Sequence, residues 1–459
     1  MRTSRAKRVG ALLVGLTLVA AACGSDDDDT TTTEAGGETT EAPEATDAPE
    51  NTDDTPEETT APETTDGDDG ETAAGDGSCE SDGVLTIGTI LPVTGDLAFL
   101  GPPEVAGSAM AVEDINAAGG VLGSDVVLEQ GDSGDTTTDT ANLEVDRLLA
   151  SDADVIVGAA SSAVSKTVID KITGSCVIQF SPANTSPDFT TYEDDGLYFR
   201  TAPSDLLQGR VLANLVLDDG AESVSVLYRQ ESYGVGLAEA FQENFTSSGG
   251  TVDEFLAYAV YTESFDAEID ALVEADSDAI VVIGFAESAS ILTTMNERGI
   301  GPEDTAVYGV DGNIGIGGEL DDPGFLTGLR GTVPSIDLGT ISDFTDRLDE
   351  NGAGGEYSYG AETYDAVIIS ALAAAVAGTD DPSAIAAEIN GVTKDGETCT
   401  SFEECIALVD AGTDIDYDGF GGPYEFGDAG EPEAASFRIW EYDGGSDPNP
   451  ELDEYVFAS

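Results

Sequence analysis

The sequence predicts an α/β protein with two doubly wound lobes, each built around a parallel sheet. From Val84 onward, apolar runs of strand length alternate with segments of helical periodicity. Such repeated alternation of strand and helix is typical of parallel sheets. The runs form two groups that separate near residues 200–204, and 459 residues are enough for two or three domains.

The first 23 residues have the pattern of an export signal. Four basic residues open the chain, namely Arg2, Arg5, Lys7 and Arg8. An apolar core over residues 9–22 follows and ends in LVAAAC, which resembles a bacterial lipobox. That resemblance implies a lipidated Cys23, although Ala20 stands where the lipobox prefers leucine. An ordinary signal peptide cleaved nearby is the alternative.

Residues 24–78 contain no aromatic or large aliphatic side chain and are rich in Asp, Glu, Thr, Pro, Ala and Gly. Such a segment cannot bury enough apolar surface to order itself, so we predict a disordered acidic tether. A tether that holds a folded domain away from a membrane and a spacer without further function both agree with this composition.

The charge balance excludes whole classes of function. The chain has 93 acidic and 15 basic residues and no histidine. Because 20 of the acidic and four of the basic residues precede Cys79, the part from Cys79 onward has 73 acidic and 11 basic residues. A surface of this sign repels phosphate backbones, so nucleic acid is not a partner. It also indicates a salty habitat, where screening reduces self-repulsion. Without histidine there is no His-dependent catalytic triad and no His-ligated zinc site.

The predicted elements follow one another in order along the folded part. A long apolar helix over residues 357–377 is expected to return to the first lobe; its Glu362 and Asp365 argue for a buried face and against a membrane span. The predicted strands are 85–91, 126–130, 155–160, 176–180, 223–228, 279–285 and 306–310.

Three motifs resemble sites of other classes. GDSGD at 131–135 is similar to a serine-protease string, but without a histidine base it is better explained as a strand-end loop. Residues 414–425 match an EF-hand loop letter for letter, yet glycines and a proline stand where the exit helix should begin. The glycines of 312–318 lack the spacing of a dinucleotide fingerprint. We therefore predict no metal and no cofactor.

Four cysteines follow the tether, and export makes disulfide bonds the expectation. Cys399 and Cys405 flank a short segment and are expected to pair locally, leaving Cys79 and Cys176 for a longer link. Four cysteines allow three pairings, so the sequence does not decide between them.

Polar groups follow two neighbouring strands at the points where these strands end. The strand 155–160 ends in Ser161 and Ser162, which open a helix, and the strand 176–180 ends in SPANTS, which brings the Ala183 backbone and Thr185 to the same edge. Unpaired N–H groups and the dipole at a helix N-terminus favour an anion. Open α/β sheets bind ligands at this edge, so a carboxylate is expected there.

Six strings occur in the order known from type I periplasmic binding proteins. They are TIGTILPVTGDLAFLG, EDINAAGGVLG, VGAASSAVS, QFSPANTSPD, FRTAPSD and LYRQESYGVGLAEAF. From Gly83 to about Tyr442 the chain resembles the branch typified by the leucine/isoleucine/valine-binding protein of ABC importers. The resemblance implies a three-strand hinge with crossings near 201–204, 332–335 and 423–438. The implied lobes are 79–203 with 334–435, and 204–333 with the C-terminal strands in 436–459.

The resemblance also implies a ligand site. Ser161, Ser162, Thr185 and the Ala183 backbone match positions that hold a ligand carboxylate. Asp311 stands where the family carries an acid for the ammonium, Tyr233 and Phe285 form the opposite wall, and Phe99 and Leu100 suggest an apolar lining. Helix capping for the serines, turns for Thr185 and Asp311, and packing for the aromatic residues are the alternatives.

The expected function is that of a lipid-anchored extracytoplasmic receptor without catalysis. It would bind a branched-chain or other small apolar amino acid as a monomer, close its lobes on it and deliver it to an ABC permease. The alternatives are a receptor of the same fold for an amide or urea-type solute, a sensor read by a signalling partner, and an enzyme.

Overall fold

A computed structural model gives the fold of Cys79 and of residues 81–459. The predicted signal peptide, Cys23 and the tether 24–78 lie outside these described residues. The strands within them are β1 (Thr86–Ile90), β2 (Val127–Glu129), β3 (Val155–Gly158), β4 (Ile178–Ser181), β5 (Tyr198–Arg200), β6 (Ser223–Arg229), β7 (Thr251–Tyr258), β8 (Ala279–Ile283), β9 (Ala306–Gly309), β10 (Arg330–Pro334), β11 (Glu397–Cys399), β12 (Ile415–Gly419), β13 (Gly422–Pro423), β14 (Ala435–Glu441) and β15 (Glu454–Ala458). The α-helices are α1 (Gly101–Ala117), α2 (Thr140–Leu149), α3 (Ser162–Thr173), α4 (Asp205–Asp218), α5 (Ser232–Ser247), α6 (Asp266–Ala275), α7 (Ser288–Glu297), α8 (Ser342–Glu350), α9 (Gly360–Ala377), α10 (Pro382–Ile389) and α11 (Phe402–Asp410).

The first lobe is built on a parallel sheet with the strand order β2-β1-β3-β4-β5. Its strands are short and apolar because helices cover both faces. Helix α9 packs against α1 in the same core. The two helices approach closely because Gly107 faces the Gly360 carbonyl, where a Cβ would collide.

Helix α9 is long and apolar enough to cross a membrane, but 83% of its 18 residues are buried inside the fold. It is therefore a core helix of the first lobe, as its two acidic residues suggested. The prediction was wrong about its start at residue 357. Tyr359 has a left-handed backbone with φ of 60°, so the helix begins at Gly360.

The second lobe is built on a larger sheet with the order β15-β14-β10-β9-β8-β6-β7. Strands β6 to β10 run parallel, whereas β14 and β15 are antiparallel additions from the C-terminus. The expected parallel sheet is therefore present, and the C-terminal strands expected in the second lobe join its edge in the antiparallel sense. Strands β5, β7 and β10 and the small sheet β11-β12-β13 were not predicted. The apolar pattern is weak in them because β5 has three residues, β7 is half-exposed and β10 reads RGTVP.

Three segments carry the chain between the two sheets. Residues 201–204 join β5 to α4, residues 335–341 lead from β10 to α8, and residues 424–434 lead from β13 to β14. Buried Arg200 contacts Glu431 through Nε at 2.7 Å, which fastens the first of these segments to the third. Thr201, Ser335 and Tyr424, one residue from each segment, line the same small crevice, so the lobes are joined through neighbouring connections.

Two disulfide bonds lie in the first lobe. Cys79 pairs with Cys176 and Cys399 with Cys405, with Cα atoms 5.9 and 5.3 Å apart. The loop 414–425 forms β12 and β13 around Asp365, whose carboxylate accepts hydrogen bonds from the Tyr417 and Tyr424 hydroxyls. Among the residues described, no group of three or more Cys, Asp or Glu is arranged to hold a metal ion.

Candidate functional site

The first wall of the candidate site is the N-terminus of α3. Ser161 is its N-cap and accepts a hydrogen bond from the Val164 N–H at 3.4 Å. Ser162 is buried, and its hydroxyl accepts from the Ser186 N–H at 3.4 Å. The capping alternative for Ser161 is therefore correct as local structure, and it leaves the helix N-terminus pointing at the edge where an anion is favoured.

The turn after β4 completes this wall. Ala183 and Thr185 are both buried, and the Ser181 hydroxyl accepts from the Ala183 N–H at 3.3 Å. The amide of Asn184 donates to the carbonyls of Ala159 and Ala160, 2.9 and 2.8 Å away. The ends of β3 and β4 are therefore tied together, which brings the residues that the sequence predicted for a carboxylate to one place.

The second wall comes from strand ends of the other sheet. Tyr233 lies in the first turn of α5, and Phe285 follows β8. Their rings stack with centroids 5.3 Å apart, and both are buried. The Tyr233 hydroxyl donates to Oδ1 of Asp311 at 2.8 Å, so the predicted wall and the predicted acid are in direct contact.

Asp311 is the centre of this wall. It opens a short 3₁₀ turn after β9, and its side chain is buried. Besides Tyr233, Gln208 donates to Oδ1 at 2.8 Å and Tyr359 donates to Oδ2 at 2.9 Å. Burial raises the pKa of Asp311, and these donors oppose the rise. Because Tyr359 precedes α9 of the first lobe, this carboxyl also joins the two lobes.

The structure adds Asp205, which the sequence reasoning missed. Asp205 opens α4 and is fully buried, and neither of its carboxylate oxygens has a hydrogen-bond donor. Burial, followed by the neighbouring Asp311, raises its pKa well above the ordinary value. The Thr185 hydroxyl faces the carboxyl and partly offsets the rise without forming a regular hydrogen bond. An acid in the first turn of a helix is common, so the FRTAPSD string alone did not single it out.

Gln208 extends the same surface one turn further along α4. Its Nε2 is used by Asp311, while its Oε1 is buried without a partner. Residues three apart on a helix lie on one face, so Asp205 and Gln208 present three unpartnered acceptor oxygens on one side of α4. A buried acceptor without a donor is costly, which indicates that a donor-bearing group belongs here.

The loop 91–100 covers the remaining side. Leu100 is buried, and the Phe99 ring lies against Gly315 of the second lobe. A small crevice between the sheets is lined by Leu97, Ser161, Phe285 and also by charged Arg229. The lining is therefore apolar in part, with an arginine that the sequence reasoning did not place.

The family model described as "Periplasmic binding protein" matches residues 84–443. This chain belongs to the periplasmic binding protein family. It is thus a solute-binding protein, and membership implies a location outside the cytoplasm. Among curated relatives, it is 29% identical to the chemotactic signal transduction system substrate-binding protein BasB of Halobacterium salinarum, over 76% of this chain and 84% of that protein. It is also 29% identical to Leu/Ile/Val-binding protein homolog 3 of Brucella melitensis, over 46% of this chain and 56% of that one.

Solved structures confirm the fold expected from the sequence, that of type I periplasmic binding proteins. The leucine-binding protein LivK of Thermotoga maritima aligns with a TM-score of 0.66 at 22% identity, over 82% of this chain and 99% of that one. LivJ of Streptococcus pneumoniae, solved with isoleucine, aligns with a TM-score of 0.67 at 22% identity and the same coverage.

Proposed function

We propose that this binding protein is a receptor for a free α-amino acid with an apolar side chain. The observation that supports this most is the opposite polarity of the two walls. One wall presents hydroxyls and a helix N-terminus, and the other presents the buried carboxyls of Asp205 and Asp311. A zwitterion has one group for each wall, whereas a plain anion or cation has only one.

The carboxylate end would meet the α3 N-terminus. The hydroxyls of Ser161 and Ser162, the Thr185 hydroxyl and the Ala183 N–H are the donors available at this edge. The Ala183 N–H donates to the Ser181 hydroxyl at 3.3 Å, a contact long enough to be exchanged for a charged acceptor. The Ser161 hydroxyl accepts from the Val164 N–H, so its own O–H can still donate to a carboxylate.

The ammonium end would meet α4 and Asp311. Three N–H bonds of an ammonium can supply donors to the free oxygens of Asp205 and Gln208, which have none from the protein. Asp311 has three protein donors and would act chiefly through its charge. The stacked rings of Tyr233 and Phe285, with Leu97 and Leu100 opposite, offer apolar surface for the side chain.

The mechanism would be closure of the two lobes about the three connecting segments. Closure removes both charged ends of the ligand from water and strengthens their interactions with the walls. We propose further that the protein is anchored through a lipid on Cys23 and hands the amino acid to an ABC permease. Resemblance to leucine/isoleucine/valine-binding proteins supports branched-chain amino acids as ligands.

Calorimetry on the purified full-length chain tests the ligand class. L-leucine, L-isoleucine and L-valine are compared with 4-methylpentanoate, which lacks the ammonium, and 3-methylbutylamine, which lacks the carboxylate. We expect heat of binding for at least one amino acid and a loss of 10-fold or more for each truncated analogue, because each removes a charge-assisted contact worth about 1.5–3 kcal/mol. Equal affinity for 4-methylpentanoate would contradict the proposal.

Substitution of Asp311 tests the acid independently of the analogues. Asp311→Asn keeps the shape and removes the charge, so we expect leucine affinity to fall about 10- to 100-fold. Asp321→Asn, at an exposed aspartate of the same lobe, is the matched control and should bind as the parent does. Unchanged leucine binding by Asp311→Asn would show that the ammonium lies elsewhere.

A sensory receptor is the second candidate, favoured by the match to BasB over 84% of that protein's length. In that case the liganded protein would bind a membrane transducer and not a permease. Co-purification from membranes with leucine present distinguishes the two, since a permease or a transducer would be recovered. If the natural ligand is an amide or a urea-type solute, a compound without an ammonium group should still bind.

A further inference from the structure

We propose that Arg229 is a positioning residue that clasps the two lobes through Asp96 and holds Phe285 against the ligand. The contact between the lobes does not depend on the proposed function, whereas its effect on ligand release rests on that function. Arg229 ends β6 in the second lobe, and Asp96 belongs to the loop 91–100 of the first. Their contact spans the crevice that both residues line together with Ser161 and Phe285.

The guanidinium has two acidic partners of different origin. Nη2 donates to Oδ2 of Asp96 at 2.6 Å, and Nη1 lies 2.9 Å from Oε1 of Glu287, which belongs to the second lobe as Arg229 does. The Arg229 side chain is only 3% exposed, while that of Asp96 is 34% exposed. The arginine is therefore a buried fixture of its lobe, and the aspartate reaches it from the other lobe.

This asymmetry makes the contact specific to lobe closure. When the lobes separate, Glu287 still balances the guanidinium, so the second lobe is not left with an uncompensated buried charge. The pair with Asp96 forms only while the lobes are in contact. Its free energy therefore favours closure without being needed for the folding of either lobe.

The clasp is also connected to the ligand wall. The guanidinium carbon lies 4.6 Å from the centroid of the Phe285 ring, whose neighbour Tyr233 donates to Asp311. A cation over a ring holds both in place. One arginine thus holds both the contact across the crevice and the ring that would contact the ligand's side chain, and ligand release requires that the clasp break.

The charges around Arg229 predict how the clasp responds to salt. Glu231 also faces the guanidinium, although its carboxylate is used by the N–H groups of Tyr233 and Gly234 at the start of α5. The Asp96 side chain is 34% exposed and that of Glu287 is 18% exposed, so added salt screens the attraction to Asp96 more than the attraction to Glu287.

The test measures lobe separation directly and therefore does not depend on knowing the ligand. Nitroxide labels at Thr137→Cys in the first lobe and Glu263→Cys in the second, both exposed, give the interlobe distance by pulsed electron resonance on the full-length chain. We expect Asp96→Asn to shift the distribution to longer distances, and Asp96→Glu, which keeps the charge, to restore much of it. The shift should be largest at low salt.

Leucine supplies the second readout. We expect Asp96→Asn to raise the leucine dissociation rate about tenfold with little change in association, because the clasp acts after encounter. Arg229→Lys, which keeps the charge but loses the forked contact, should give a smaller increase. Asp266→Asn, which removes one exposed partner of Arg298 within the second lobe, is the matched control and should change neither quantity.

The outcomes separate the two proposals. Longer interlobe distances in Asp96→Asn without any leucine binding would support the clasp and overturn the proposed ligand. Distances and dissociation rates equal to those of the parent in a folded Asp96→Asn protein would overturn the clasp.

Discussion

Asp205→Asn is predicted to weaken ligand binding while stabilising the fold. The parent carboxyl is fully buried, and both its oxygens lack a donor. A buried polar group without a partner costs about 1–3 kcal/mol, and more when it is charged. Asparagine keeps the size and removes the group that must either stay charged without a donor or take up a proton on folding, so we expect the free energy of unfolding to rise by about 1 kcal/mol at pH 7. Some of the gain is offset because an acid in the first turn favours the helix dipole by about 0.3–1 kcal/mol.

Ligand binding should respond in the opposite direction. The two carboxylate oxygens of Asp205, which have no donor, would accept hydrogen bonds from the ammonium of an amino acid. A charge-assisted hydrogen bond of this kind contributes about 1.5–3 kcal/mol. Its loss corresponds to a 10- to 150-fold larger dissociation constant. Calorimetry with leucine and urea unfolding of the same preparations measure both effects. Asp218→Asn, at the exposed end of the same helix, is the control.

The pH dependence of unfolding gives an independent check. Burial raises the pKa of Asp205 in the folded state above that of the unfolded chain. The unfolded state therefore loses its proton first, and the free energy of unfolding falls as the pH rises from about 4 towards the folded-state pKa. Asp205→Asn should flatten this slope. A variant that is less stable than the parent, or that binds leucine equally well, would refute the reasoning.

Three further predictions concern stability. Burial raises the pKa of Glu362 to about 8, so the unfolding free energy should decline between about pH 4.5 and 8, by at most about 5 kcal/mol, and Glu362→Gln should remove that decline in urea titrations. Replacing Cys79 and Cys176 by serine should cost about 4.7 kcal/mol, against about 2 kcal/mol for Cys399 and Cys405, because the first bond closes a far longer loop; equal losses would contradict the loop-closure argument. The melting temperature should rise from low to molar salt as repulsion among the acidic side chains is screened, and a constant value would count against a salty habitat.

Much of the first wall could be predicted from sequence because its geometry is local. Ser161 and Ser162 follow a buried strand and open a helix, and this order of elements places hydroxyls at a helix N-terminus wherever the strand ends. Asp311 could be proposed for a related reason, since only Val310 separates it from the end of β9. Parallel strands bring such ends to one edge, so spacing along the chain carries the information.

Long-range contacts could not be predicted in this way. Asp205 was overlooked because its distinctive feature is a buried carboxyl without a hydrogen-bond donor. Only the packing of the folded chain shows which donors lie near a carboxyl. Tyr359 is distant in sequence from Asp311, and Asp96 from Arg229, yet each pair is in contact. The spacing of apolar residues along the chain does not indicate which of these distant residues are in contact.

The chain's local patterns established the alternation of strands and helices, the strong negative charge and the absence of histidine chemistry, because each follows from composition or from neighbours a few residues apart. The tertiary structure decided the antiparallel edge of the second sheet, the unpartnered acceptors of α4 and the contacts across the crevice. These depend on which distant surfaces share a buried space, and burial determines the energetic cost of every polar group that they contain.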